Sequence, residues 1–124
     1  MTTDKENLIR EYFAAQSSQD IERLMSFFSE DCEHEDVPIK IVSHGKNEIK
    51  AFYEATFQAC PDFKGDIQRI TVADDVATIE WIMSATSVGA FGELPGTGKS
   101  YTIKAVTILD FHGNKTHRAA DYWD

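Results

Sequence analysis

The spacing of apolar residues changes for the rest of the chain at Pro61-Asp62, and that change limits the fold more than any motif does. Before it apolar side chains recur at helical intervals; after it they alternate. Leu8, Ile9, Tyr12 and Phe13 form an i, i+1, i+4, i+5 stripe, which predicts a first helix over about 4–16 opening near Asp4. Ser17-Ser18-Gln19 interrupts it, and Asp20 can cap a short second helix whose apolar face is Ile21, Leu24, Met25 and Phe28. The third helix, about 46–59, is the most clearly amphipathic, with Ile49, Phe52, Tyr53, Thr56, Phe57 and Cys60 on one face. Beyond Pro61 strands are predicted at about 64–73, 76–88, 100–111 and 115–123, parted by Asp74-Asp75, a glycine-rich hairpin and His112-Gly113-Asn114. Helices first and a meander afterwards imply an α+β domain, a curved antiparallel sheet wrapped around the long helix behind an N-terminal helical hairpin. A sheet curled that way leaves a cavity of the kind that binds small molecules.

Between the second and third helices Cys32–Val37 has a two-fold pattern. Glu33 and Glu35 project to one side, and Cys32, His34 and Asp36 to the other. Pro38 makes this strand an edge or terminal piece, with Ile39–Val42 expected to continue it past a kink.

At 124 residues the chain has the length of a single domain, 1–124, able to stand without disulfide or metal staples. Twelve Lys and Arg against 21 Asp and Glu leave a net charge of −9, which repels phosphate backbones and anionic headgroups. Nucleic acid and membrane are therefore not expected partners. The first seven residues lack a signal peptide's apolar stretch, and no segment has the apolar length of a membrane span, so the expected location is cytoplasmic. Cys32 and Cys60 fall in no zinc-ligand spacing and read as two buried reduced thiols. No metal site and no cofactor are expected.

Glu93-Leu94-Pro95-Gly96-Thr97-Gly98-Lys99-Ser100 approaches a phosphate-binding P-loop, but Glu93 replaces the first glycine and the residues after Lys99 are strand-like. A P-loop needs a helix N-terminus there, so the segment reads as a hairpin loop. Asp36 is the first chemical candidate: a carboxylate facing an apolar cavity has its pKa pushed upward, as a general base requires. Its plainer role is to cap a strand end. Tyr12, on the apolar face of helix one, is either a core tyrosine or a hydroxyl donor. Asp121 shares a strand face with His117, Ala119 and Trp123; at about 3.3 Å per residue it stands some 13 Å from His117, so the two could line one pocket without bonding. Trp81 and Met83 read as core or pocket wall.

Several strings together resemble the SnoaL-like polyketide cyclases, within the cone-shaped superfamily of nuclear transport factor 2, ketosteroid isomerase and limonene epoxide hydrolase. They are Tyr12 with Asp20, Phe27-Phe28 with Asp31, His44-Gly45-Lys46, Pro61-Asp62-Phe63, Glu80-Trp81, the hairpin Gly89 to Lys99, and Asp121-Tyr122-Trp123-Asp124. The resemblance covers nearly the whole chain and implies a cystatin-like cone and a homodimer. It also implies that Asp121, six positions after Lys115, is the working acid or base of the last strand. The cyclase histidine two residues earlier is Ala119 here, and that of the sheet hairpin is Ser87. The epoxide hydrolases' Arg-x-Asp is replaced by Trp81-Ile82-Met83, which argues against that chemistry. Tyr12 and Asp36 resemble the oxyanion tyrosine and proton-shuttling aspartate of ketosteroid isomerases, whose second oxyanion donor would fall near Val106.

The expected function is cofactor-free acid/base chemistry, a cyclisation, isomerisation or dehydration, on a small apolar carbonyl compound, polyketide-like or steroid-like. Asp121 comes first as acid or base and Asp36 second; Tyr12 would donate to an enolate, and His34 and His117 would orient or relay protons. Phe52, Phe57, Trp81, Met83 and Trp123 would form the walls. The alternative is a noncatalytic ligand-binding or dimerisation domain of the same fold. A sheet face with Ile103, Val106 and Ile108 offers the dimer surface.

Overall fold

The computed structural model describes residues 4–89 and 96–124, and among them are three helices and six strands. Helix α1 runs Asp4–Ser18, α2 Ile21–Met25 and α3 Gly45–Ala59. Asp20 caps α2, its carboxylate accepting the Arg23 N–H at 3.2 Å. At α3 the Glu48 carboxylate reaches back to the His44 N–H at 2.9 Å and takes up one of the donors a helix start leaves unpaired. The strands are β1 Phe28–Asp36, β2 Ile41–His44, β3 Lys64–Ala73, β4 Val76–Thr86, β5 Ser100–His112 and β6 Lys115–Trp123. They form one curved sheet in the order β2-β1-β6-β5-β4-β3. Strands β3 to β6 are the expected antiparallel meander; β1 joins it by pairing parallel to β6.

Four local expectations are corrected. Phe28 is not on the face of α2, which ends at Met25, but opens β1. The residues after Pro38 do not continue β1. Lys40, at φ 58°, closes a turn onto the Val37 carbonyl, and β2 runs back antiparallel with Ile41 opposite Asp36. Ile103 does not share a face with Val106 and Ile108: alternation along β5 turns Ile103 to the cavity and the other two to the outer face. His117 does not share the inner face with Asp121. Phe111 pairs with Thr116 but Asp110 pairs with Arg118, so His117 is an extra residue in a β-bulge. The bulge resets the alternation, burying Thr116 and sending His117 outward, where its ring stacks on His112 and Nδ1 lies 3.6 Å from Asp31.

The core lies between the helices and the inner sheet face, with Ile9, Phe13, Leu24, Phe28, Ile49, Ile79 and Leu109 all nearly or fully excluded from solvent. Cys32 and Cys60 are buried free thiols. Helix α1 crosses β3 closely at Gly65, whose backbone bonds in both directions with the Ser17 hydroxyl. A Cβ on Gly65 would sit 3.0 Å from the Trp81 ring and 3.3 Å from Phe13. Gly65→Ala is therefore expected to cost about 1–3 kcal/mol of stability in a urea titration, with a shift in Trp81 fluorescence. An unchanged midpoint would mean that the rings yield freely.

In the glycine-rich connection Gly98 N–H donates to the Ser87 carbonyl and Ser87 N–H to that of Lys99, after which β5 begins. No helix follows Lys99, so its backbone lacks the geometry of a P-loop. Residues 90–95, which carry Glu93-Leu94-Pro95 and much of the family-like hairpin string, lie outside the described residues. Among the described residues no helix is long and apolar enough to cross a membrane.

Candidate active site

Parallel pairing of β1 with β6 decides the site. It sets Asp36 beside Asp121 and His34 beside Ala119, and the inward alternation of both strands points the two carboxylates and the imidazole to the same side. The two carboxylates line a cavity of about 340 Å³ between α3 and the sheet, walled by Phe52, Phe63, Trp81, Met83, Ile103 and Trp123, with His34 behind them. Its size falls within the range of small-molecule pockets.

The two carboxylates have different surroundings. Asp121 is bonded at both oxygens: Oδ1 accepts the Thr107 hydroxyl at 2.7 Å, and Oδ2 lies 3.0 Å from His34 Nε2. Thr107 can donate outward because its oxygen accepts the Trp81 indole N–H at 2.8 Å. His34 is fully buried against Phe52 and Tyr53, and its Nδ1 has no hydrogen-bond partner among the described residues. At 3.0 Å the Nε2–H donates a hydrogen bond to the Asp121 carboxylate.

Asp36 is 6% exposed and accepts the Trp123 indole N–H at 2.8 Å. Burial, and then the charge of Asp121, push its pKa up from 3.8 to about 6, against the lowering effects of the Trp123 bond and of His34. Hydrogen bonds hold Asp121 at both oxygens, whereas Asp36 keeps its proton up to about pH 6. A buried carboxyl raised in this way and facing a cavity is a frequent mark of an acid/base site.

Tyr12 is buried but does not line the cavity. Its hydroxyl meets that of Tyr53, and of the two it is Tyr53, which the sequence reading left in the core, that lines the wall. Burial, as the largest cause, raises both phenols above their ordinary range and keeps them protonated donors. Phe57 packs on Tyr53 and Phe63 behind the wall instead of forming it. Phe52, Trp81, Met83 and Trp123 do line the cavity, whereas His117 is on the opposite side of the sheet. Sequence reasoning missed Gln16, Thr107 and Tyr101. Thr107 had a signal: a hydroxyl residue at an inward position between Ala105 and Leu109 needs a buried partner. Among the described residues no three His, Cys, Asp or Glu side chains are grouped to hold a metal.

A family model described as SnoaL-like polyketide cyclase matches residues 6–124. Among curated proteins none matches the chain. Solved structures give the same fold at low identity. A Catenulispora acidiphila protein with a ketosteroid isomerase-like fold, crystallised with trimethylamine, superposes with TM-score 0.85 at 20% identity, over 99% of this chain and 88% of its own. A proposed SnoaL-like polyketide cyclase from Shewanella denitrificans gives 0.86 at 19%, over 99% and 92%. A proposed polyketide cyclase from Pseudomonas putida gives 0.81 at 25%, over 100% and 93%. His34, in register with Ala119, brings an imidazole to Asp121 from the neighbouring strand.

Proposed function

This chain belongs to the SnoaL-like polyketide cyclase family, and from that premise and the paired carboxylates we propose that it moves protons on a small, largely apolar carbonyl compound. Asp36, as the anion, removes the proton next to the carbonyl. The electron pair moves onto the carbonyl oxygen, which accepts a hydrogen bond from the Tyr53 hydroxyl, itself backed by Tyr12. The resulting carboxylic acid returns its proton to another carbon in an isomerisation, to an alkoxide after aldol-type ring closure, or to a departing hydroxide as water in a dehydration. Asp121, tied down at both oxygens, acts in this reading as the fixed charge that tunes Asp36, which reverses the order of the two acids expected from sequence. The observation that carries the proposal is the elevation of Asp36 to about 6 inside a cavity of ligand size. A homodimer across the outer face bearing Val106, Ile108 and Tyr122 belongs to the same reading.

Deuterium exchange into the α-position of 2-tetralone, followed by NMR in D2O, tests it. The enzyme-dependent rate should exceed that of buffer, rise with pH through about 6 as Asp36 loses its proton, and level off above. Exchange no faster than buffer, or a rate without an inflection between pH 5 and 7, would remove Asp36 as the base.

A further inference from the structure

The cavity contains two carboxyl groups and no basic side chain. Among the described residues that line it there is no Lys, Arg or His, and residues 90–95 contain none either. The nearest imidazole, His34, lies behind Asp121 with Nε2 committed to that carboxylate. An enolate is an anion, and once Asp36 has taken up the proton it would lie beside the charge of Asp121. The neutral hydroxyls of Tyr53 and Tyr101 offer hydrogen bonds but no compensating charge. The walls are suited to supplying what is missing from outside. Trp81, Trp123, Phe52, Phe63, Tyr53 and Tyr101 line one cavity, and aromatic faces attract cations most strongly where water is excluded. Both indole N–H groups are engaged, Trp123 with Asp36 and Trp81 with Thr107, which fixes each ring beside a carboxylate or its partner.

We propose that the natural ligand brings its own positive charge: a compact organic cation, and for catalysis a carbonyl compound bearing a tertiary or quaternary ammonium, seated among these rings beside Asp36 and Asp121. The catalytic half rests on the acid/base reading above; the cation site does not. An ammonium near the carbonyl would offset the enolate charge that the protein leaves unbalanced. The net charge of −9 draws such a ligand toward the molecule.

Choline and its neutral isostere 3,3-dimethylbutan-1-ol separate charge from shape. In calorimetric titrations of the full chain at pH 7.5, choline should bind at least tenfold more tightly than the alcohol. Its affinity should fall at least threefold between pH 7.5 and 5.0 as Asp36 takes up a proton; the alcohol's should not. The groups facing Asp36 are Asp121 on β6, His34 on its own strand, Tyr53 on α3 and Tyr101 on β5, and choline is charged throughout this range. Asp36→Asn should reduce choline's preference over the alcohol at least fivefold. Equal or tighter binding of the alcohol, no measurable choline binding, or choline affinity indifferent to both pH and Asp36→Asn overturns the proposal. Selective choline binding without exchange into either 2-tetralone or acetonyltrimethylammonium would sink the acid/base reading alone, and exchange without cation selectivity would sink only the ligand class.

Discussion

Replacing Asp36 with asparagine is expected to abolish most of the α-proton exchange, by about 10²-fold or more, and at the same time to raise the melting temperature at pH 7.5. The two effects have one cause. Asparagine keeps the shape and an oxygen able to accept the Trp123 N–H, but it cannot take a proton from carbon. The folded state holds the Asp36 proton more tightly than the unfolded chain, with a pKa of about 6 against 3.8. A raised acid contributes stability that is fully present below about pH 4 and is lost as pH rises through 6, because above that the native fold must accommodate the buried anion. The shift corresponds to a penalty of about 3 kcal/mol near neutrality. Asparagine removes it at pH 7.5 and leaves nothing to remove at pH 4, so the stability difference between variant and parent should be large at the first pH and close to zero at the second. Thermal melts at both pH values and the exchange assay together check this. A variant that melts lower at pH 7.5 would show that Asp36 stabilises the fold, which a strained catalytic base should not do.

Phe28→Ala is expected to produce the largest loss of stability, about 3–5 kcal/mol. Phe28 is fully buried at the start of β1, its ring edge-on to Tyr12 at 5.7 Å and tilted against Tyr53 at 6.5 Å. The surrounding groups come from α1, α3 and the sheet, three elements that cannot all close on the void. The hole would also open beneath the Tyr12–Tyr53 hydroxyl pair, so exchange activity should fall even at temperatures where the variant is folded. Urea denaturation with circular dichroism gives the first quantity. A loss under about 1 kcal/mol would show that the site collapses readily and that Phe28 does not anchor the pair.

The elements most readable in the sequence were those whose pattern is local. Helix α3 could be found from Ile49, Phe52, Tyr53 and Phe57 alone, because one helical face repeats every three to four residues whatever it packs against. The alternation in β4, with Ala77, Ile79, Trp81, Met83 and Ala85 turned inward, was equally plain. The inward set Cys32, His34 and Asp36 was also legible, and all three are buried on one face. Failures came where one residue resets a pattern. The bulge at His117 reverses the parity of half a strand, and strict alternation therefore placed that histidine on the wrong side. Lys40 at positive φ turned an expected continuation into a hairpin. Neither residue type announces such a role.

Local periodicity thus determined the order of helices and strands, the face each buries and the presence of acids on inward faces, since all of these depend on neighbours a few residues apart. The site depended on something of longer range. His34 and Asp121 are 87 residues apart in the chain and 3.0 Å apart in space. Their contact, the pressure of Asp121 on Asp36 and the replacement of Tyr12 by Tyr53 at the cavity wall all follow from the parallel docking of β1 on β6 and the packing of α3 against β1. No periodicity specifies which strand will lie beside which. That choice is made by the packed core as a whole, and with it the difference between two aspartates that look alike in the sequence.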